Sequence, residues 1–218
     1  MSDITSSITT GVSNDLPKNT LPEQPDKHDW GTKTSARVLS DVEFSLLKNS
    51  KGLHIVGVTG FSGQWADSKL EGDAVLKSDS VAAAAALREK LVELKAEHGS
   101  ALVISSGATN EGVPKIIYQL CEELRIKAMG VTSEKAFDYQ LGTMEYLIVV
   151  GENWGDESPT FLNTSDEILM LGGGGQAKRE AIAADQMGKR VTVFQGFKGS
   201  ADQLNPEELP HAEFIARH

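Results

Sequence analysis

A three-layer α/β fold, with helices on both faces of a mainly parallel sheet of about six strands, is predicted by three features of the sequence. From Leu53 onward short apolar runs alternate with helical stretches, the pattern of parallel strands joined by crossover helices. The runs are almost continuously apolar, as strands covered on both faces must be. Most of them lead into a polar, glycine-containing segment.

Taken in order, residues 1 to 35 are rich in Ser, Thr, Asn, Asp and Pro and carry no aromatic residue before Trp30, so they are expected to be disordered. Val38 to Leu47 has near-helical apolar spacing with Ser40 and Asp41 as caps, which predicts a short docking helix. The strands are expected at Leu53 to Val58, Ala101 to Ser105, Lys127 to Val131, Tyr146 to Val150, Glu167 to Leu171 and Val191 to Phe194. Helices are expected from Ser80 to His98, Glu111 to Leu124, Ser158 to Asn163 and Gln176 to Met187. Gly99 and Gly188 are placed to end two of them, and Ser158 with Pro159 to start a third. This order is Rossmann-like. The segment from 63 to 78 reads as a polar, irregular excursion.

The 218 residues suffice for one well-buried domain. It is expected over 36–198, between the disordered segment 1–35 and a C-terminal tail over 199–218. A formal net charge of −10 argues against nucleic acid as a partner, since that binding neutralises many phosphates with clustered Lys and Arg. No apolar run approaches the roughly 20 residues that span a membrane. The first residues lack a basic start and an apolar core, so no secretory signal is expected and the location is expected to be cytoplasmic. Cys121, the single cysteine, excludes an internal disulfide and a thiolate-rich zinc site, and its apolar neighbours predict an inert buried thiol. The histidines at 28, 54, 98, 211 and 218 show no helical metal-ligand spacing, so neither a metal nor a cofactor is expected.

In an open parallel sheet, ligands bind beyond the carboxyl ends of the strands. The segment after the fifth strand is the most informative: Gly172, Gly173, Gly174 and Gly175 remove every Cβ where backbone N–H groups and the positive end of a helix converge. Lys178 and Arg179 in the first helical turn oppose the helix dipole, a cost that a bound anion relieves. The glycines alternatively allow only a tight helix-to-sheet turn, which one or two of them would explain better than four.

After the first strand, Gly57 to Gly63 reads GVTGFSG, a GxxGxxG spacing and not the GxGxxG of dinucleotide sites. Thr59, Gly60, Ser62 and Gly63 either bind a ligand or merely shape this turn. No acidic residue follows at the distance that ribose recognition in nicotinamide sites needs. No Tyr-Lys pair stands at helical spacing either, so a nicotinamide oxidoreductase is disfavoured. After the second strand, Ser105, Ser106, Thr109 and Asn110 offer hydrogen bonds to a ribose or phosphate, or cap the next helix, and Gly107 joins the candidate binding residues. In the loop from Glu152 to Ser158, Trp154 either stacks on a base or packs under its own loop, and Asp156 or Glu157 could meet ribose hydroxyls or a base edge. No histidine falls in a post-strand loop, which disfavours a serine nucleophile.

The run EILMLGGGGQAKREAIAADQMGKRVTVF from Glu167 to Phe194, with VISSGATNEGVPK and GVTG before it, resembles the SLOG superfamily of Rossmann-like proteins. That superfamily includes LOG-type, lysine-decarboxylase-like phosphoribohydrolases and molybdenum-cofactor-carrier-like proteins. The resemblance covers about Gly52 to Phe197 and implies a nucleotide-derived ligand and often a homodimer. Catalytic members carry PGGxGTxxE, where the glycines hold phosphate and the glutamate works at the ribose. Here Gly172, Gly173 and Gly175 match, Leu171 replaces the proline, Gln176 the threonine, and Arg179 stands in the glutamate register with Glu180 one residue late. One residue is about 100° of helix rotation. An arginine that these enzymes carry on the preceding helix is absent from 159–164. The expectation is therefore a carrier-like or sensor-like protein holding a small phosphorylated nucleotide-like ligand. The alternative is a nucleoside 5'-monophosphate phosphoribohydrolase in which Glu180 or Asp156 stabilises an oxocarbenium-like ribose.

Overall fold

The computed structural model describes residues 33–61 and 73–217, with side chains described for 33–61 and 80–217. Ser62 and Gly63, and nearly all of the segment expected to be disordered, lie outside the described residues. The chain order is β1 (Arg37–Val38), α1 (Asp41–Lys51), β2 (His54–Gly60), α2 (Asp73–His98), β3 (Leu102–Ser106), α3 (Gly112–Leu124) and β4 (Lys127–Thr132). It continues through β5 (Tyr146–Val149), α4 (Ser158–Thr164), β6 (Glu167–Leu171), α5 (Gly175–Gln186), β7 (Arg190–Gln195) and β8 (Glu213–Ala216). All eight strands pair in parallel, in the order β1-β5-β4-β3-β2-β6-β7-β8.

Successive residues of each central strand serve opposite layers, because side chains alternate across a sheet. Val56, Val58, Leu102 and Ile104 join the apolar side chains of α2 and α3, whereas Ile55, Val103, Ile168 and Met170 join those of α1, α4 and α5. The chain builds outward from β2 through β3, β4 and β5, then returns to lay β6 on the other side of β2. The strand order reverses at β2 and β6, and a crevice opens there beyond their carboxyl ends.

The six expected strands are β2 to β7, and the sheet gains one more at each edge. Val38 and Leu39, counted above with the first helix, belong to the sheet edge: β1 pairs with β5, and Leu39 N–H donates to Leu147 O at 2.9 Å. The helix starts later, where Ser40 Oγ accepts from Glu43 N–H at 3.1 Å and Glu43 Oε2 accepts from Ser40 N–H at 2.8 Å. This reciprocal capping box fixes the start of α1, and Phe44 anchors it in the core. At the other edge, the tail after Lys198 is held against the sheet, with Thr192 to Gln195 in register with Glu213 to Ala216. Helix α2 begins at Asp73, before the expected Ser80, since Ala74, Leu76 and Lys77 favour helix. Cys121 is buried in α3, and burial, with Glu145 nearby, pushes its thiol up to about 12, as an inert thiol should be.

Gly57 lies in the middle of β2, where α4 crosses so closely that a Cβ would sit 2.6 Å from Ser165 Oγ and 2.7 Å from Phe161 Cζ. Gly57→Ala should therefore overpack this contact and cost about 1–3 kcal/mol. Urea denaturation should show a lower midpoint with an unchanged slope; an unchanged midpoint would mean that α4 yields freely.

Candidate functional site

A cavity of about 390 Å³ opens at the carboxyl ends of β2, β3, β4 and β6, beside the start of α5. Thr59, Gly60, Ser106, Gly107, Thr109, Trp154, Gly174, Gly175, Gln176 and Glu180, all singled out from the sequence, line it. Apolar walls come from Val58, Phe61, Val131 and Phe161.

The four glycines divide into two pairs. Gly172 and Gly173 have φ of +65° and +83°, the left-handed region that favours glycine, and they are buried. A Cβ on Gly172 would lie 2.8 Å from the Phe61 ring, and one on Gly173 would lie 2.6 Å from Ala177 Cβ. Their carbonyls accept from Ala201 N–H at 3.0 Å and Ser200 N–H at 2.9 Å, in the 3-10 turn Gly199–Gln203. These two shape the turn. Gly174 and Gly175 face the cavity: Gly174 is the N-cap of α5 in extended conformation, and a Cβ there meets nothing within 4 Å. Gly174 has no side chain with which to cap α5, so the first N–H groups and the positive end of the helix stand beside the opening.

Helix α5 also directs Gln176 and Glu180, one turn apart, toward β2 and α4. Glu180 is buried; its Oε2 accepts from Thr59 Oγ1 at 2.5 Å and its Oε1 from Ser158 Oγ at 2.6 Å and Gln176 Nε2 at 3.0 Å. Arg179, in the glutamate register by sequence, is exposed instead. The one-residue displacement therefore leaves a carboxylate in the cavity. Ser158 does not cap α4, because its hydroxyl is given to Glu180.

The loop before α4 supplies a second carboxylate. Glu157 is 7% exposed, with Oε1 accepting from Gln176 Nε2 at 2.9 Å and Oε2 from Gly155 N–H at 2.9 Å. One amide nitrogen thus bridges two carboxylates. Burial raises the Glu157 pKa above the usual carboxylate value, hydrogen bonds oppose this, and the nearby Glu180 adds to it. Asp156, its neighbour, does not line the cavity. Its Oδ2 accepts from Glu152 N–H at 3.1 Å and Asn153 N–H at 2.9 Å, which folds its own loop. Trp154 is 43% exposed at the rim, its ring 5.9 Å from that of Tyr139.

Across the cavity, Thr109 and Thr132 are 3% and 1% exposed, and neither hydroxyl has a hydrogen-bond partner. A buried polar group left so costs about 1–3 kcal/mol, and both oxygens are shut off from solvent. Thr132 ends β4 and carries no mark in the sequence that separates it from any strand terminus. Ser106 also lines the cavity, but its hydroxyl donates to Val58 O at 2.8 Å inside the sheet. Asn110 is outside the lining, with its N–H given to Gln140 O at 2.7 Å. Lys178 is outside it too, paired with Glu208 at 2.8 Å. Among the described residues no Lys, Arg or His lines the cavity.

Because the folded-state pKa of Glu157 is raised, the native chain holds its proton to higher pH than the unfolded chain does. Its contribution to stability therefore falls as pH rises from about 4.3, the unfolded value. Urea denaturation across this range should show Glu157→Gln gaining on the wild type as pH increases from 4 to 7. A pH-independent difference would place the carboxyl in water.

No family model matches the sequence, and no curated protein matches it by sequence. Solved structures share the fold, among them two that align with most of this chain. The structural-genomics target TM1055 aligns with a TM-score of 0.53 and 19% identity, over 75% of this chain and 92% of that one. The molybdenum cofactor carrier protein MCP of Chlamydomonas reinhardtii aligns with a TM-score of 0.55 and 18% identity, over 76% of this chain and 91% of that one. At these identities the likeness establishes the three-layer fold expected from the sequence.

Proposed function

We propose that the chain binds a phosphorylated, nucleotide-derived small molecule in this cavity, as a carrier-like or sensor-like protein. The observation that carries the reading is the uncapped start of α5, where Gly174 and Gly175 leave backbone N–H groups open to an anion. The apolar walls of Val58, Phe61, Val131 and Phe161 support it by offering a surface to the rest of the ligand. The fold shared with a protein named as a molybdenum cofactor carrier agrees with the same reading. The binding cavity is lined from within residues 36–198, and the chain acts in the cytoplasm and assembles as a homodimer, which light scattering on the purified chain would test.

A second reading, hydrolysis of the N-glycosidic bond of a nucleoside 5'-monophosphate, is favoured by one observation. Glu180 and Glu157 share the cavity, one held by three donors and the other raised by burial. Two carboxyl groups in unlike surroundings are the pairing that glycosidic cleavage uses. Against it stands the absence of any Lys, Arg or His among the described lining residues to steady the phosphate.

A ligand at 100 times its dissociation constant stabilises the fold by about 2.7 kcal/mol, so thermal-shift screening with phosphorylated nucleotides should raise Tm for at least one. Gly174→Asp should abolish that shift, because it places a carboxylate at the anion position. The variant itself should melt no lower than the wild type, since Asp is a favoured N-cap. A shift that survives the substitution sinks the proposal. Release of free base from nucleoside monophosphates at high protein concentration would instead establish the second reading.

A further inference from the structure

A separate cluster of side chains lies at the opposite end of the sheet, where β2, β6 and β7 begin. His54 opens β2, Glu167 opens β6, Arg190 opens β7, and His98 closes α2. The His54 and His98 rings stack with centroids 3.7 Å apart and planes 10° apart. His54 Nε2 lies 2.6 Å from Glu167 Oε1, and His98 Nε2 lies 3.5 Å from that same oxygen. Glu167 is 3% exposed and is held by Arg190, from Nε to Oε2 at 2.7 Å and from Nη2 to Oε1 at 2.8 Å. His98 Nε2 is buried and makes no hydrogen bond. Two imidazole nitrogens and a carboxylate oxygen therefore converge on one place, and one of the nitrogens is left unsatisfied.

Further charged groups surround the cluster. Glu97 Oε1 lies 3.6 Å from His98 Nε2 and 3.6 Å from Arg190 Nη2. Asp166 Oδ2 lies 3.9 Å from His54 Nδ1, and its other oxygen pairs with Lys48 at 2.7 Å. With neutral imidazoles, the three carboxylates Glu97, Asp166 and Glu167 are balanced by the cations Lys48, Lys189 and Arg190, so the site rests on its donor atoms and not on net charge.

We propose that His54, His98 and Glu167 bind one divalent transition-metal ion of the zinc type. Two imidazole nitrogens and a carboxylate oxygen form a donor set that zinc accepts, with a fourth position left for water or Glu97. Bonds of about 2.0–2.2 Å in a tetrahedron set ligand atoms roughly 3.3–3.5 Å apart. The 3.5 Å between His98 Nε2 and Glu167 Oε1 already has that size. The 2.6 Å contact of His54 widens as the ion displaces the proton shared with Glu167. Both rings tilt out of their stack so that their lone pairs meet the ion, a motion open to side chains 26% and 17% exposed. Arg190 orients the carboxylate through Nε on Oε2, while its Nη2 shares Oε1 with the ion. The three ligands come from separate elements, so no short metal motif marks them and the sequence predicts no metal. The bound ion ties the end of α2 to the starts of β2 and β6.

The test uses the tag-free full chain, stripped with a chelator and titrated with Zn²⁺ and, separately, Co²⁺. One ion should bind per chain and raise Tm, and Co²⁺ should give the visible absorption of a four-coordinate site. His98→Ala, at a helix end, should weaken binding at least about tenfold, and His54→Ala should do the same. His211→Ala, which alters an exposed histidine paired with Asp185, should bind as the wild type does. Absence of stoichiometric binding to the wild type would show that the cluster holds only a proton, which overturns the proposal. Unchanged affinity in His98→Ala overturns it as well, and that outcome is readable even if His54→Ala does not fold.

Discussion

The carboxylate of Glu180 is the junction on which the cavity depends. Through Thr59, Ser158 and Gln176 it joins β2, α4 and α5 at a single buried group. A buried charge persists only when its lone pairs are met, and here three donors from three elements meet them. Removing one donor leaves the charge short, and removing the carboxylate leaves Thr59 and Ser158 to find water or each other. The same contacts hold the start of α5 at a fixed distance from the end of β2, and that separation is the mouth of the cavity. Polar satisfaction and site geometry thus rest on one side chain.

The cavity brings opposite partial charges close together. The start of α5 presents positive partial charge without a cation, and Gln176 in that same turn bridges two carboxylates. Backbone donors stay fixed in place and carry no neutralising counter-charge, so they act by direction more than by net attraction. Groups that donate hydrogen bonds, such as hydroxyls and amines, suit the carboxylates beside them.

The sequence exposed those parts of the fold whose physics is local. Six interior strands are legible because burial on both faces demands unbroken apolar runs. The glycine turn is legible because four consecutive residues without side chains leave the backbone open to close approach. The edge strands are hidden for the opposite reason. β1 has only two residues and β8 reads Glu-Phe-Ile-Ala, too short and too mixed for a pattern to emerge. In the cavity, counting along the helix put Arg179 where a carboxylate was wanted, yet the inward face of α5 is the one bearing Gln176 and Glu180. Asp156 and Glu157 are adjacent in sequence, and only the path of the loop decides that one folds it and the other enters the cavity. Thr132 and the His54, His98 and Glu167 cluster depend on distant parts of the chain coming together, which no short window records.

The turn at Gly172 and Gly173 has its carbonyls satisfied by Ser200 and Ala201, and this sets an order of events during folding. The core strands β2, β3, β4 and β6 are all made before residue 200 leaves the ribosome, and they can collapse as a unit. The turn at Gly172 and Gly173 takes its final form only after the segment Gly199–Gln203 has been synthesised and has docked against it. Closing that contact comes late, so a partly made chain would present a formed sheet with an unfinished cavity mouth.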